Sequence, residues 1–138
     1  MESKRDRPTW AFFKEMVHAG GGQWMTQVYH YAGAFFAFLA SRLGLTPNHL
    51  TMLSGVLVSL SMVVMLHGAG KGILWALLVV LLSVVSYSLD CADGQLARAT
   101  KQTSKFGAWL DHVLDAGKIF IVNFSVGWML ITRPEFFE

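Results

Sequence analysis

The stretch that decides the fold runs from Asp90 to Asp115, DCADGQLARATKQTSKFGAWLDHVLD. It places four aspartates and an arginine between two of the most apolar segments of the chain. A charged side chain at the bilayer centre costs roughly 2.5–3.5 kcal/mol even on lenient insertion scales. Carboxylates gathered at such a junction therefore need counter-charges and hydrogen bonds. Before them lies ILWALLVVLLSVVSYSL (Ile73–Leu89), and after them an apolar run from Phe106 to about Ile131. With its flanks, each run is long enough to cross a membrane as a helix.

Helical spacing sorts the polar residues onto faces. Asp90, Asp93, Gly94 and Ala97 fall at i, i+3, i+4 and i+7, and Gly107, Asp111 and Asp115 at i, i+4 and i+8. The polar connection Ala99–Lys105 is short, which predicts antiparallel neighbouring helices. Asp90 then stands level with Asp115, Asp93 with Asp111 and Ala97 with Gly107. Carboxylates crowded in this way cannot all stay ionised without cations. Oxygen-only ligands suit magnesium, manganese or calcium. Two metals shared between carboxylates are a recurring device for phosphoryl transfer. The small residues Gly94, Ala97 and Gly107 leave room one level away, and Arg98 offers a fixed fork for phosphate.

Simpler readings stand beside these. Four aspartates near a helical hairpin can be a solvated loop, and Lys101 and Lys105 read best as membrane-surface anchors. His18, His30, His49, His67 and His112 show no ligand spacing and read as structural or surface groups. Cys91 is the single cysteine, so no intrachain disulfide or cysteine metal cluster is available, and it reads as a packing residue. Asn123 suits an interhelical hydrogen bond.

Outward from this centre, residues 1–27 form a mixed polar segment containing Lys4, Arg5, Arg7, Lys14 and the Gly20–Gly22 turn. Residues 28–45, rich in Tyr and Phe, suggest an amphipathic helix at the interface, with a short spanning helix as the alternative. The aromatic residues there read as membrane packing. TPNHLT (Thr46–Thr51) restarts the chain, with Thr46 a candidate cap and Pro47 suited to a first helical turn. Leu50–Leu66 is the first span, so residues 46–138 make up the transmembrane region that carries the motif. The expected fold is all-α and integral to the membrane, with an interfacial helix and about three transmembrane helices. Hydrophobic residues make up 54% of the 138 and charged ones 14%, which argues against disorder. A net charge of +2 gives no case for a nucleic-acid partner. No cleavable signal peptide is evident. Lys4, Arg5, Arg7, Lys14, Arg42, Arg98, Lys101 and Lys105 lie on one side of the spans and Lys71 and Arg133 on the other, with Lys118 inside the third. That bias predicts a cytoplasmic N-terminus and an acidic site facing the cytoplasm.

The pattern Asp90-x2-Asp93-Gly94-x2-Ala97-Arg98-x8-Gly107-x3-Asp111-x3-Asp115 resembles the CDP-alcohol phosphotransferase signature at every fixed position. TPNHLT is similar to that family's Pro-Asn-x-x-Thr element. The resemblance covers about Val28 to the C-terminus. It implies an integral membrane enzyme of phospholipid synthesis that displaces CMP from a CDP-alcohol, either CDP-diacylglycerol or a CDP-linked head group, with an acceptor hydroxyl. It implies that Asp90, Asp93 and Asp111 bind Mg2+ or Mn2+, as two ions, and that Asp115 joins the metal site or acts as the catalytic base. It further implies that Gly94, Ala97 and Gly107 let the nucleotide pack closely, that Arg98 and Ser104 contact phosphate, and that Asn48 and Thr51 complete the nucleotide pocket. The family fold resembles six transmembrane helices, often in a homodimer among membrane lipid. This chain resembles the first half of that bundle, which leads us to expect a fragment, a shortened chain or a half that needs a partner. His112 after Asp111 is similar to choline and ethanolamine phosphotransferases. A non-catalytic membrane subunit or a fragment of a divalent-cation transporter would explain the carboxylates but not the small-residue level, Arg98 or the Pro-Asn-x-x-Thr element.

Overall fold

A computed structural model describes residues 8–19 and 24–133, apart from the side chains of 18–19 and 24–27. Lys4, Arg5, Arg7, the Gly20–Gly22 turn, the His18 side chain and residues 134–138 lie outside that description. The described residues form five helices: α1 (Trp10–Ala19), α2 (Trp24–Leu43), α3 (Pro47–Gly68), α4 (Ile73–Thr100) and α5 (Lys105–Thr132). Three of them, α3, α4 and α5, are long and apolar enough to cross a membrane.

Local chemistry explains where these helices start. Thr46 is extended (φ −90°, ψ 157°) at the N-cap of α3, and Pro47 occupies the first turn. The His49 ring nitrogen Nδ1 accepts from the Thr46 N–H at 3.3 Å. Ser104 caps α5, its hydroxyl accepting from Gly107 N–H at 2.9 Å. Helix α4 ends on Lys101 in the left-handed conformation (φ 55°). At 28 residues α4 is about 42 Å long. About 20 residues suffice to cross the hydrocarbon core. A crossing that began at Ile73 would be complete near Asp90–Asp93, with the carboxylates at its end and the Gly94–Arg98 turn beyond it.

Hydroxyl groups fix α3 against α4. Thr51 meets Asp93, Ser54 meets Asp90 and Ser61 meets Ser83, so each step up α3 matches an equal step down α4. The Ser86 hydroxyl donates to Ser54 O at 2.8 Å, and Ser61 and Ser83 share a 2.8 Å bond. Interhelical bonds of this kind contribute about 0.6 kcal/mol each in a membrane and as much as about 1.7.

Helix α5 packs on α3, with Leu114 facing Gly55. It does not pack directly on α4 among the described residues. The expectation of a directly packed second and third span is therefore corrected. A short connection brings helices close at one end, but α3 packs against both and holds them apart, so their side chains meet across a gap.

Helix α2 lays Gly33, Ala34, Ala37 and Ala40 against α4 near Cys91, Ala92 and Leu96, where small residues allow close approach. Half-buried Cys91 serves this packing. Within the segment read as polar, α1 forms a helix whose Phe13 and Val17 join the same core, with Phe13 edge-on to Phe38 at 6.5 Å.

These contacts set opposite expectations for two glycines. A Cβ on Gly33 would lie 2.9 Å from Cys91 Cβ and 3.3 Å from Ala92 N, so Gly33→Leu must separate α2 from α4. Overpacking of this kind costs about 1–3 kcal/mol, and thermal melting in detergent should show a lowered Tm. Nothing lies within 4 Å of a Cβ on Gly117. Gly117→Ala should leave Tm unchanged or raise it, since helix propensity favours Ala by up to about 1 kcal/mol.

Candidate active site

The aspartates are presented by α4 and α5 and braced by α3. One carboxylate oxygen from each of Asp90, Asp93 and Asp111 can be chosen so that all three lie within 4.8 Å of one another. Asp93 is 6% exposed, and its Oδ2 lies 2.6 Å from Thr51 Oγ1. Thr51 Oγ1 is also 3.1 Å from Pro47 O. Its one proton serves one acceptor at a time, and the carboxylate is the stronger. Ser54 Oγ is 2.8 Å from Thr51 O and 3.4 Å from Asp90 Oδ1. The three carboxylates are hard oxygen donors converging from two helices, and this donor set fits Mg2+ or Mn2+.

Asp115 adjoins this group through a shared lysine. It pairs with the Lys118 ammonium at 3.0 Å, and the same ammonium makes a close ion pair with Asp90. Sequence reasoning left Lys118 without a role. The signal was present, because Asp111, Asp115 and Lys118 share one helical face at i, i+4 and i+7.

Two clefts flank the carboxylates. One, of about 200 Å³, is lined by Asn48, Thr51, Asp93, Gly94, Ala97, Arg98, Ser104, Gly107 and Asp111, together with Pro47, Gln102, Thr103 and Ala108. Every residue assigned by sequence to the nucleotide lines it. The N-termini of α3 and α5 both open onto it through Pro47–Asn48 and Ser104–Gly107, and the positive end of a helix dipole favours anions. The glycines are not simply vacant. A Cβ on Gly94 would lie 3.4 Å from Arg98 Nη1, and one on Gly107 would lie 3.0 Å from Ser104 Oγ and 3.2 Å from Asn48 Oδ1. The protein's own polar groups already use part of the space these residues leave. The other cleft, of about 290 Å³, is mostly apolar and includes Val58, Tyr87, Asp90, Lys118, Ile119 and Val122.

The family model for CDP-alcohol phosphatidyltransferase matches residues 44–136. The chain belongs to this family. It is 44% identical over 70 residues to a bifunctional IPC transferase and DIPP synthase of Aquifex aeolicus, covering 51% of this chain and 15% of that protein. It is 38% identical over 73 residues to an archaetidylinositol phosphate synthase of Pyrococcus horikoshii, covering 53% of this chain and 36% of that protein. The matches thus span about a seventh and about a third of those relatives. No solved structure matches significantly. CDP-alcohol phosphatidyltransferases are membrane transferases of phospholipid synthesis that use divalent metals, and with three apolar helices this chain is an integral membrane protein.

Thr51 provides a test of how α3 braces the acidic group. Removing a residue that orients a metal ligand typically lowers metal affinity 10–100-fold. Thr51→Val keeps the shape and removes the donor to Asp93, so Mn2+ should bind about tenfold more weakly, measured by the free-Mn2+ resonance signal. Ser54→Ala should weaken binding less, because its contact with Asp90 is longer and Asp90 keeps Lys118.

Proposed function

We propose that this chain carries the CDP-alcohol site of a phosphatidyltransferase, which transfers a substituted phosphate from a CDP-alcohol to an acceptor hydroxyl and releases CMP. The observation that carries this reading is that Asp93 and Asp111, two of the three converging carboxylates, line the same cleft as Arg98 and two helix N-termini. A nucleoside diphosphate carries the charge and shape that such a cleft attracts. Family membership favours this reading over a cation transporter.

Asp90, Asp93 and Asp111 would hold Mg2+ or Mn2+, as two ions, which when bound neutralise charge on the diphosphate and on departing CMP. The protein's groups supply the rest. Arg98 and the N–H groups at the starts of α3 and α5 bind phosphate oxygens, and Ser104 contributes beside them. Asn48, Thr51, Gly94, Ala97 and Gly107 shape the pocket for the cytidine end. Asp115 takes the proton of the acceptor hydroxyl within hydrogen-bond reach. Fixing both substrates at a membrane boundary turns their encounter into an oriented reaction. We assign the site to the cytoplasmic face from the positive-residue bias, place α2 at that interface, and expect the working protein to be a homodimer. The name of the Pyrococcus relative adds an inositol phosphate to the acceptors to be tested.

CMP release should be assayed with CDP-diacylglycerol, CDP-choline and CDP-ethanolamine against a panel of acceptors. Metal-dependent release with one donor is the expected result; no release and no CDP binding in the presence of Mn2+ would overturn the reading. Asp111→Asn should abolish release. Asp115→Asn should retain nucleotide binding while losing chemistry under single-turnover conditions. Gly94→Leu should fold yet fail to bind CDP, because its side chain meets the Arg98 guanidinium at the cleft wall.

A further inference from the structure

A third cleft, of about 310 Å³, lies at the far end of the spans from the aspartates, where α3 turns into α4 and Met129 of α5 comes alongside. Along α4, Trp75 precedes Asp93 by about 27 Å at about 1.5 Å per residue. That distance is close to the thickness of the hydrocarbon core, so the two sites face opposite leaflets. The wall is apolar, with Val64, Gly68, Trp75, Ala76, Val80 and Met129 contributing to it. Gly68 makes room for the indole: a Cβ there would lie 2.8 Å from Trp75 Cε3 and 2.9 Å from Trp75 Cβ. Trp75 remains 38% exposed, which suits an indole at a membrane–water interface.

Positive charge gathers at the mouth of this cleft. The Lys71 ammonium lies 5.1 Å from the centroid of the Trp75 ring. Arg133 Nη1 donates to Ala69 O at 3.2 Å and so fastens the end of α5 to the α3–α4 turn. Ala69 and Trp75 both line the cleft, so both basic residues of this membrane face stand at its rim. Neither has a carboxylate partner among the described residues; Glu135 and Glu138 lie outside that description. Capping α3 at Ala69 uses one N–H of the Arg133 fork, leaves its other donors for a ligand, and gives no account of Lys71.

We propose that this cleft holds one anionic phospholipid of the leaflet opposite the acidic site, with part of an alkyl chain against Val64, Val80 and Met129 and its phosphate between Lys71 and Arg133. Charge complementarity selects the head group. Two cations that face no carboxylate favour a head group of net negative charge over a zwitterionic one, whose own ammonium would meet them. The lipid also has a structural task. Helix α5 does not pack on α4 among the described residues, and an alkyl chain here fills the gap between Met129 and Val80.

The test uses the full chain, delipidated in detergent and titrated with phosphatidylglycerol or phosphatidylcholine of the same chains. Native mass spectrometry reads the affinity of the first lipid bound. The wild type should prefer phosphatidylglycerol. Lys71→Gln and Arg133→Gln should each reduce that preference about fivefold, Arg133→Lys should keep most of it, and Lys105→Gln, on the other membrane face, should leave it unchanged. The preference compares two lipids on one variant, so a general loss of stability does not move it. Ala76 is exposed on α4, so Ala76→Trp fills the cleft without altering charge or repacking the helices, and it should abolish the preference. Equal binding of the two lipids by the wild type would overturn the proposal, as would a preference that survives the double Gln variant. A preference kept in Ala76→Trp would reduce the effect to head groups attracted at the surface. If Ala76→Trp instead splits a dimer seen by light scattering and leaves lipid preference intact, a second copy of the chain fills the cleft and the proposal fails.

Discussion

The arrangement depends on how α3 is registered against α4. In hydrocarbon a hydroxyl has no water to turn to, so each serine or threonine on a helix face bonds its own backbone or finds a partner across the interface. Thr51, Ser54 and Ser61 lie on one side of α3, and their partners on α4 are Asp93, Asp90 and Ser83. Sliding one helix by a turn would break all three pairings together. The same pairings that lock two spans therefore also aim two carboxylates. Because α5 docks on α3 and not on α4, the position of Asp111 opposite Asp93 is inherited from that register as well.

Holding α4 and α5 apart is what makes room for chemistry. A directly packed antiparallel pair would fill the space between Gly94, Ala97 and Gly107 with the opposing helix. Instead α3 acts as a wedge, and the gap becomes a polar cleft on one flank of the aspartates and an apolar one on the other. A lipid-linked nucleotide is itself divided this way, with a diphosphate at one end and alkyl chains at the other. The site proposed here has complementary halves that meet at the carboxylates.

Much of this could be read from the sequence, and the part that could not has a physical explanation. Spacing alone placed Asp90, Asp93, Gly94 and Ala97 on one helical face, and the Thr46-Pro47 start and the three apolar spans follow from capping and length. All the residues assigned to the nucleotide line one cleft. The spacing of the aspartates placed Asp93 level with Asp111, and these two converge, but Asp90 joins them and meets Asp115 only through Lys118; the distance between the helices that carry them was not readable, because it is set by a third helix. A charge count noted Lys118 only as an exception to the membrane bias; its partner Asp90 is 28 positions away in sequence and is brought near only by the fold. Helix α1 was legible but passed over: Trp10, Phe13 and Val17 fall at i, i+3 and i+7, and the basic residues and glycines on either side drew the segment into a polar reading.

The glycines of the motif give the last step. Small residues at set positions suggest space for a ligand, yet at Gly94 and Gly107 the nearest atoms are the Arg98 guanidinium, the Ser104 hydroxyl and the Asn48 amide oxygen. Each is a polar group on the wall of the cleft. A Cβ at Gly107 would press on the Ser104 hydroxyl and the Asn48 amide oxygen, whereas one at Gly94 would only touch the Arg98 guanidinium, which a larger side chain would displace. The fixed spacing between Gly94 and Arg98 follows from the same geometry, since one turn of helix lets the arginine fold back over the glycine before it. A small residue at Gly94 therefore leaves room for a cation against the helix surface, close to the aspartates but not paired with them. Arg98 has no ion pair with those carboxylates among the described residues, so its charge is directed into the cleft, where the proposed diphosphate would meet it.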